Sequence, residues 1–230
     1  MNEFELIARY FTRPVHERQG VGDDCALIDV GDRTLAITTD LLTERVHFFP
    51  DVDPASLGHK ALAVNLSDLT AAGARPRCFL LSLSLPRADG AWLEAFSRGM
   101  FELAAREGCE LIGGDTARAA RIAGQDGPVT VCITVIGEVD RSCLRGRSGA
   151  RAGDDLWVSG ELGDAALAVA HALGQVRLDP AQAQACRQRL EWPQPRVALG
   201  LALRGLASAA IDMSNSSTWT RVSPTSTPTT

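Results

Sequence analysis

Aspartates beside glycine, threonine or asparagine recur at separate points of this 230-residue chain, and these residues are the best suited to chemistry. They stand in four short stretches: Gly22-Asp23-Asp24, Thr38-Thr39-Asp40, Asn65-x-x-Asp68 and Gly113-Gly114-Asp115-Thr116. A lone aspartate next to glycine usually serves a turn, because its side chain bonds to nearby backbone. Carboxylates from separate elements could instead form one acidic basin for Mg²⁺, which prefers oxygen ligands and substrate phosphates. Glycines let backbone amides approach phosphate oxygens, so the combination predicts phosphoryl transfer.

The motifs of the two large ATP-using classes are absent from the sequence. It contains no G-x-x-x-x-G-K-S/T loop, and it lacks the protein-kinase set of Gly-rich loop, H-R-D and D-F-G. An ATP enzyme outside those classes would rely on positioning and on metal ions that neutralise charge, which supply most of the acceleration in phosphoryl transfer.

Hydrophobic periodicity predicts the elements that must position these residues. In the first part of the chain it predicts a helix over 3–11, a hairpin of strands 25–30 and 34–39, a helix over 54–69, a strand over 79–85, a helix over 91–106, a strand over 110–112 and a strand over 129–139. The stretch 113–116 is expected to be a turn. Asp40 would lie at a strand end, and Asn65 and Asp68 would share one helix face.

The second part of the chain reads as a smaller unit. We place the boundary near residue 152 and predict a strand over 156–159, helices ending near 173 and over 181–190 and 196–206, and a strand ending at 211–214. The stretch 160–164 could be an anion site at a helix N-terminus, but a tight turn is favoured. The tryptophans at 92, 157 and 192 are expected in or near the core. From Asn215 onward Ser, Thr and Pro dominate, so residues 215–230 are predicted to be disordered.

Composition excludes several classes. The net charge of −5 argues against a basic nucleic-acid-binding surface. No apolar run approaches the ~20 residues of a membrane span, and the first residues lack the positive start of a signal peptide, so we expect a cytoplasmic location. Six cysteines without a C-x-x-C pair indicate neither a zinc site nor a dense disulfide framework.

Five stretches, in order along the chain, together resemble the bacterial thiamine-monophosphate kinase family: GVGDDCA at 20–26, TTD at 38–40, KALAVNLSDL at 60–69, LIGGDT at 111–116 and AIDMS at 210–214. The resemblance implies a fold like that of aminoimidazole-ribonucleotide synthetase. That is an N-terminal α/β domain (1–152) whose mixed sheet pairs with a second subunit, followed by a C-terminal α/β domain (153–214). It also implies transfer of the γ-phosphoryl group of ATP to thiamine monophosphate, direct and in line. No side chain need act as a nucleophile, since a substrate phosphate oxygen attacks.

The resemblance also implies roles for individual residues. Several Mg²⁺ ions would be bound by Asp23, Thr38, Thr39, Asp40, Asp68, Asp115 and Asp212. ATP would be contacted by Gly114, Asp115, Arg147 and Ser214, and thiamine monophosphate by His47. Without the resemblance, His47 would be interpreted as a packing histidine and Arg147 as a surface charge; a planar guanidinium suits phosphate well.

The sequence departs from the family pattern after Ser214. The family continues Ile-Asp-x-Ser-Asp-Gly-Leu, whereas this chain has Asn215, Ser216 and Ser217. The family then continues for roughly a hundred residues, so we expect an incomplete C-terminal domain, as a frameshift or altered 3′ end would produce. Two alternatives stay open: another ATP-dependent synthetase of the superfamily, in selenophosphate or purine synthesis, and an inactive nucleotide-binding or metal-binding remnant.

Overall fold

The computed structural model describes residues 3–14, 21–122, 124–140 and 146–213. Seven strands lie in the described residues: β1 Ala26–Val30, β2 Arg33–Thr43, β3 Arg75–Leu85, β4 Glu110–Arg118, β5 Arg121–Ile122, β6 Gln125–Asp126 and β7 Thr130–Val139. Five of them form one sheet in the order β1-β2-β7-β3-β4, and β5 pairs with β6. The pairs β1–β2, β2–β7 and β7–β3 are antiparallel, and β3–β4 is parallel.

Two long helices, α2 Pro54–Ala71 and α3 Gly90–Glu107, form the layer that packs on this sheet. Each begins at an aspartate whose carboxylate accepts backbone N–H groups of the first turn: Asp53 accepts from Ala55, and Asp89 accepts from Ala91 and Trp92. α3 ends at Gly108, which has a φ of 65°. α2 packs against strands β2, β3 and β7 and against α3, and these contacts on several sides explain why most of its side chains are buried. The predicted α/β fold with a mixed sheet is therefore confirmed.

The two helices approach each other closely at a pair of glycines. A Cβ atom added at Gly58 would lie 2.0 Å from the carbonyl oxygen of Phe96, and one at Gly99 would lie 1.9 Å from that of Ala55. Both distances are far inside van der Waals contact, so only glycine allows this crossing. The crossing sets the position of α2, which carries Asp68.

The second part of the chain is helical. A 3₁₀ turn at Arg147–Gly149 is followed by α4 Asp164–Ala172, α5 Pro180–Glu191 and α6 Val197–Ala202. α4 and α5 share a small apolar cluster of Ala165, Ala168, Cys186 and Leu190, against which Phe49 packs. α6 packs on α2, where a Cβ at Gly200 would lie 2.4 Å from the carbonyl oxygen of Thr70. The proposed domain bounds stay predictions.

Several expectations were wrong in detail. The glycines and Asp115 of the stretch 113–116 lie inside β4, because β3 supplies a parallel partner along its whole length. Residues 156–159 and 211–213 form no strand, and Trp157 is 87% exposed rather than near the core. No neighbouring strand lies beside either segment in the described residues, and a strand needs such a partner for its backbone hydrogen bonds.

The remaining boundary differences are small. The N-terminal helix is one α-helical turn, α1 Glu3–Leu6, that continues as a π-helix over Ile7–Phe11. α6 is shorter than predicted. Ser214 and the predicted disordered tail 215–230 lie outside the described residues. No helix in the described ranges is long and apolar enough to cross a membrane.

Candidate functional site

An acidic cluster forms where β2, α2 and two loops meet. On β2, residues 34, 36, 38 and 42 alternate inward toward the helices, and this places Thr38 against α2. The Thr38 hydroxyl donates to Oδ2 of Asp68 at 2.6 Å. One residue earlier on α2, Ser67 donates to the carboxylate of Asp212. The predicted residues Thr38, Asp68 and Asp212 are therefore brought together.

The carboxyl groups of the acidic cluster belong to Asp24, Asp40, Asp68 and Asp212. They repel one another and are partly buried. Burial, and then the charges of Asp40, Asp212 and Asp24, raise the pKa of Asp68 to about 8, although the hydrogen bond from Thr38 opposes the rise. Burial also raises the pKa of Asp40. The pKa of Asp212 is raised by burial and by Asp24 and Asp40, against the hydrogen bond from Ser67 and the charge of Arg147. Such a cluster favours cations.

Arg147 supplies the one cation that the structure places on this cluster among the described residues. Its guanidinium donates to Oδ1 of Asp24 from Nη2 at 2.5 Å and from Nε at 3.2 Å. Its backbone N–H donates to Oδ2 of Asp23 at 3.2 Å. The Asp24 side chain is only 2% exposed, and its Oδ2 accepts the backbone N–H of Asp212 at 3.4 Å. The predicted ATP-binding arginine thus lies beside the predicted metal-binding aspartates.

The oxygen donors of the acidic cluster suit Mg²⁺ only if waters and substrate phosphates complete its coordination. Carboxylate and hydroxyl oxygens are the ligands that this ion prefers. Yet within the described ranges no group of three or more His, Cys, Asp or Glu side chains could hold a metal ion. Mg²⁺ is commonly bound by one or two carboxylates, with waters and substrate phosphates completing its octahedron. The spread-out cluster fits that mode and does not fit a cage made of protein ligands alone.

His47 lies in the turn that follows β2. Its side-chain Nδ1 accepts the backbone N–H of Thr43 at 3.0 Å, and the backbone N–H of His47 donates to the carbonyl oxygen of Thr43 at 2.9 Å. Burial, and then the charge of Lys60, lower the pKa of His47. The imidazole is therefore neutral at pH 7, and with Nδ1 accepting, the proton resides on Nε2. A neutral N–H donor of this kind suits a phosphate oxygen.

Three predicted residues lie away from the acidic cluster. Thr39 is on the opposite face of β2, where its hydroxyl contacts Thr134 at 3.0 Å and the carbonyl oxygen of Ile133 at 3.2 Å. Gly114 and Asp115 lie in β4, which is separated from β2 by β7 and β3. Three spacings of about 4.8 Å put β4 roughly 14 Å from β2. Asp115 is therefore distant from Asp40 within the chain.

Gly114 also has a structural reason to be glycine. Its φ is +153°, and an added Cβ would lie 1.8 Å from the carbonyl oxygen of Leu81 on β3. Any other residue would push β4 away from β3. The predicted ATP contact of Gly114 is thus not needed to explain this residue type. The remaining predicted ATP residue, Ser214, lies outside the described residues.

Sequence reasoning assigned no role to three residues that the structure brings to these sites. They are Asp24, Ser67 and Lys60. Asp24 was quoted with Asp23 among the acidic stretches but received no individual role, and Ser67 could have been found from its adjacency to Asp68. Lys60 gave no signal, because a lysine in a helix is normally solvated.

A cavity of about 260 Å³ adjoins the acidic cluster. Its wall includes Ser67 and Asp212, and it extends between α2, α6 and the segment before α4. Residues 160–162 line it, and Gly163, with a φ of 107°, precedes the first turn of α4. The cavity gives the cluster a space open to a ligand on one side.

Comparison with known proteins identifies the fold. Residues 22–139, more than half of the chain, match the family described as AIR synthase related protein, N-terminal domain. The chain belongs to this family. The AIR synthase related region contains β1 to β4, β7, α2 and α3, and with them every predicted site residue except Arg147, Asp212 and Ser214.

Several relatives of this AIR synthase related chain are thiamine-monophosphate kinases. It is 45% identical over 219 residues to the thiamine-monophosphate kinase of Salmonella typhimurium, a match that covers 93% of this chain and 65% of the relative. A crystal structure of thiamine-monophosphate kinase from Stenotrophomonas maltophilia superposes with a TM-score of 0.70 at 43% identity, covering 83% of this chain and 60% of that one.

A further solved structure is described as AaThiL complexed with AMPPCP and TMP. It superposes with a TM-score of 0.72 at 32% identity, covering 82% of this chain and 59% of that one. The chain thus spans about 65% of the length of the curated kinase that it matches.

Proposed function

We propose that this chain is a Mg²⁺-dependent thiamine-monophosphate kinase, which converts thiamine monophosphate and ATP into thiamine diphosphate and ADP. The acidic cluster capped by Arg147 carries the proposal, because it occurs in a chain 45% identical to such a kinase. It is the arrangement that would hold the triphosphate of ATP and the phosphate of thiamine monophosphate through metal ions. The complex of a relative with AMPPCP and TMP supports the same pair of substrates.

The carboxylates of the cluster would hold Mg²⁺ together with the phosphates. Asp23, Asp40, Asp68 and Asp212 are the candidates, and Mg²⁺ bound there would neutralise the charge that develops on the transferred phosphoryl group. Asp68 carries a proton below pH 8 in the absence of metal, so it must lose this proton to become a full ligand. Arg147 would exchange its contact with Asp24 for phosphate oxygens as ATP enters.

His47 would orient the acceptor. Its Nε2–H can donate to an oxygen of thiamine monophosphate without adding a positive charge, and its Nδ1 is held by Thr43. A terminal phosphate oxygen of thiamine monophosphate then attacks the γ-phosphorus of ATP, the bond to the bridging β,γ-oxygen breaks, and ADP leaves. No side chain of this set needs to form a covalent intermediate.

A second copy of the chain would complete the site. Asp115 lies roughly three strand spacings from Asp40 in one protomer, a distance of about 14 Å. β4 is exposed along its whole length and forms one edge of the sheet. An exposed edge strand is a ready partner for another chain. We propose that the sheets of two protomers pair, and that the partner copy brings its Gly114 and Asp115 to the cluster.

The deciding test measures thiamine diphosphate and ADP formed by the purified chain with ATP, Mg²⁺ and thiamine monophosphate. Asp68→Asn serves as the blank, because it removes a metal-binding charge at nearly constant size. Asp32→Asn, the same change at an exposed turn, is the matched control and should keep full activity. Product from the wild type and the control but not from the blank supports the proposal.

Two other outcomes would contradict it. Phosphorylation of selenide or of a purine precursor in place of thiamine monophosphate would point to another synthetase of the superfamily. Absence of any product from folded wild-type protein would contradict the proposed turnover and favour an inactive remnant.

A further inference from the structure

Lys60 is a buried cation that the proposed reaction does not use. It lies in the middle of α2 and is 3% exposed, although lysine is almost never buried without a partner. Burial lowers its pKa to about 8, against the attraction of Glu191 on α5. It is therefore mostly charged at pH 7, and a buried charge is costly unless it is paired and hydrogen-bonded.

No carboxylate forms an ion pair with Lys60 in the part of the chain that the structure describes. Glu191 instead accepts from Arg187 at 2.7 Å. The contact that Lys60 does make is with backbone: Nζ donates to the carbonyl oxygen of His47 at 3.1 Å. The buried charge is thus directed at the residue proposed to bind the acceptor phosphate.

The turn that carries His47 needs support. Arg45 within it has a φ of 66°, the one positive φ outside glycine in the described residues. A non-glycine residue in that region is unfavourable and persists only where its surroundings hold it. Backbone bonds close the turn, from Arg45 N–H to Phe48 at 2.8 Å and from His47 N–H to Thr43 at 2.9 Å.

The residues that follow the turn contact the second part of the chain. Phe49 packs into the cluster between α4 and α5, and Asp51 pairs with Arg187 at 3.2 Å. These contacts anchor the residues after the turn, whereas Lys60 holds the turn itself from inside the first domain. Among the described side chains, only Lys60 donates a hydrogen bond to the carbonyl oxygen of His47.

We propose that Lys60 is a positioning residue for His47, whose carbonyl it holds so that Nδ1 stays on the Thr43 N–H and Nε2–H is presented to the phosphate of the acceptor. The identity of the acceptor, thiamine monophosphate, rests on the proposed function. The contact between Lys60 and His47 does not depend on that proposed function. The proposed role requires the hydrogen bond, and the charge makes that bond stronger.

The first experiment needs no catalysis. The imidazole ¹⁵N and ¹³C signals of the four histidines are followed by NMR against pH in the wild type, Lys60→Met and Lys60→Gln. Lys60→Met keeps the apolar stem and removes the donor, whereas Lys60→Gln keeps an N–H donor without charge. Both variants should raise the pKa of His47, because both remove the charge of Lys60, which together with burial lowers it.

The two variants should differ in tautomer. In Lys60→Gln the Nδ1 signal should stay that of an acceptor, while in Lys60→Met it should shift toward a mixture of tautomers as the turn loosens. His171 on α4 should be unchanged in both variants. An unchanged His47 pKa and tautomer in Lys60→Met would overturn the proposal, whatever the activity of the chain.

The second experiment measures steady-state rates. Lys60→Met should raise KM for thiamine monophosphate by about tenfold, the effect of roughly 1.4 kcal/mol, while KM for ATP changes less than about twofold. Lys60→Gln should recover most of this loss. Equal losses for both substrates would assign Lys60 a general structural role and overturn the proposal. If the wild type forms no thiamine diphosphate, the proposed function fails, and the NMR experiment still decides the role of Lys60.

Discussion

At the scale of single residues, the negative charge that Asp68 would need to bind a metal ion destabilises the metal-free folded chain. The pKa of Asp68 in the folded chain is about 8, far above the roughly 3.9 of an unfolded aspartate. A raised carboxyl pKa means that the folded state binds the proton more tightly. The stability from this proton is complete below about pH 4 and is lost as the pH rises toward 8.

We therefore predict that Asp68→Asn stabilises the metal-free protein at pH 8. The amide cannot ionise, and its oxygen can still accept from Thr38. The gain in the free energy of unfolding should be about 1–3 kcal/mol at pH 8 and should vanish near pH 4. Urea titrations in EDTA at the two pH values measure it. Equal stability of both proteins at pH 8 would show that Asp68 is ionised and compensated in the folded state.

Arg147 and Asp24 form the ion pair on which the cluster depends in the absence of ligands. Arg147→Ala would leave a carboxylate that is 2% exposed without its cation. Because Arg147 itself is 40% exposed, we expect a loss of about 1–3 kcal/mol in the free energy of unfolding, less than for a fully buried pair.

Adding Asp24→Asn to Arg147→Ala should restore part of that loss, since it removes the uncompensated charge. Arg121→Ala, which breaks an ion pair more than half exposed on both sides, is the control and should cost under about 1 kcal/mol. Urea titrations of the wild type, Arg147→Ala, Asp24→Asn and the double variant give the coupling energy. A double variant less stable than Arg147→Ala would contradict a buried, ionised Asp24.

At the scale of elements, the crossing of α2 and α3 fixes where Asp68 lies. Gly99→Ala would place a Cβ 1.9 Å from the carbonyl oxygen of Ala55, and backbone cannot give way as a side chain can. Alanine is ordinarily the better helix former by about 1 kcal/mol. Here we predict the reverse, a loss of about 1–3 kcal/mol from overpacking.

Gly90→Ala, in the first turn of the same helix, has no atom within 4 Å of the added Cβ and should be neutral or stabilising. Thermal unfolding of the two variants measures the difference. If Gly99→Ala melts no lower than Gly90→Ala, the helices are not in close contact.

The accuracy of prediction from sequence differed between elements for a physical reason. α2 and α3 were predicted to within two residues because periodicity and capping are local. The stretch 113–116 looked like a turn because glycine and aspartate favour turns, yet it is strand, since β3 supplies the pairing that no local pattern reveals. Likewise the sequence identified the aspartates of the site but could not reveal that Asp115 lies across the sheet from Asp40.

At the scale of the whole molecule, that separation makes the proposed site depend on two copies. Asp68 would act in its own protomer, and Asp115 would act in the site of the partner. Each single variant, Asp68→Asn or Asp115→Asn, should then be inactive as a homodimer, because every site lacks one carboxylate. A mixed dimer should contain one site with both defects and one site with neither.

We predict that the two inactive variants restore activity when they are mixed, dissociated in mild urea and reassociated. With random pairing, half of the dimers are mixed, and one of the two sites in each mixed dimer is intact. About a quarter of the wild-type rate should therefore return. The rate of thiamine diphosphate formation measures it, and sedimentation confirms the dimer. Mixing Asp68→Asn with Asp40→Asn is the matched control, because both residues lie in one protomer's cluster. If that control recovers equally, or if neither mixture recovers, Asp115 does not serve the partner's site.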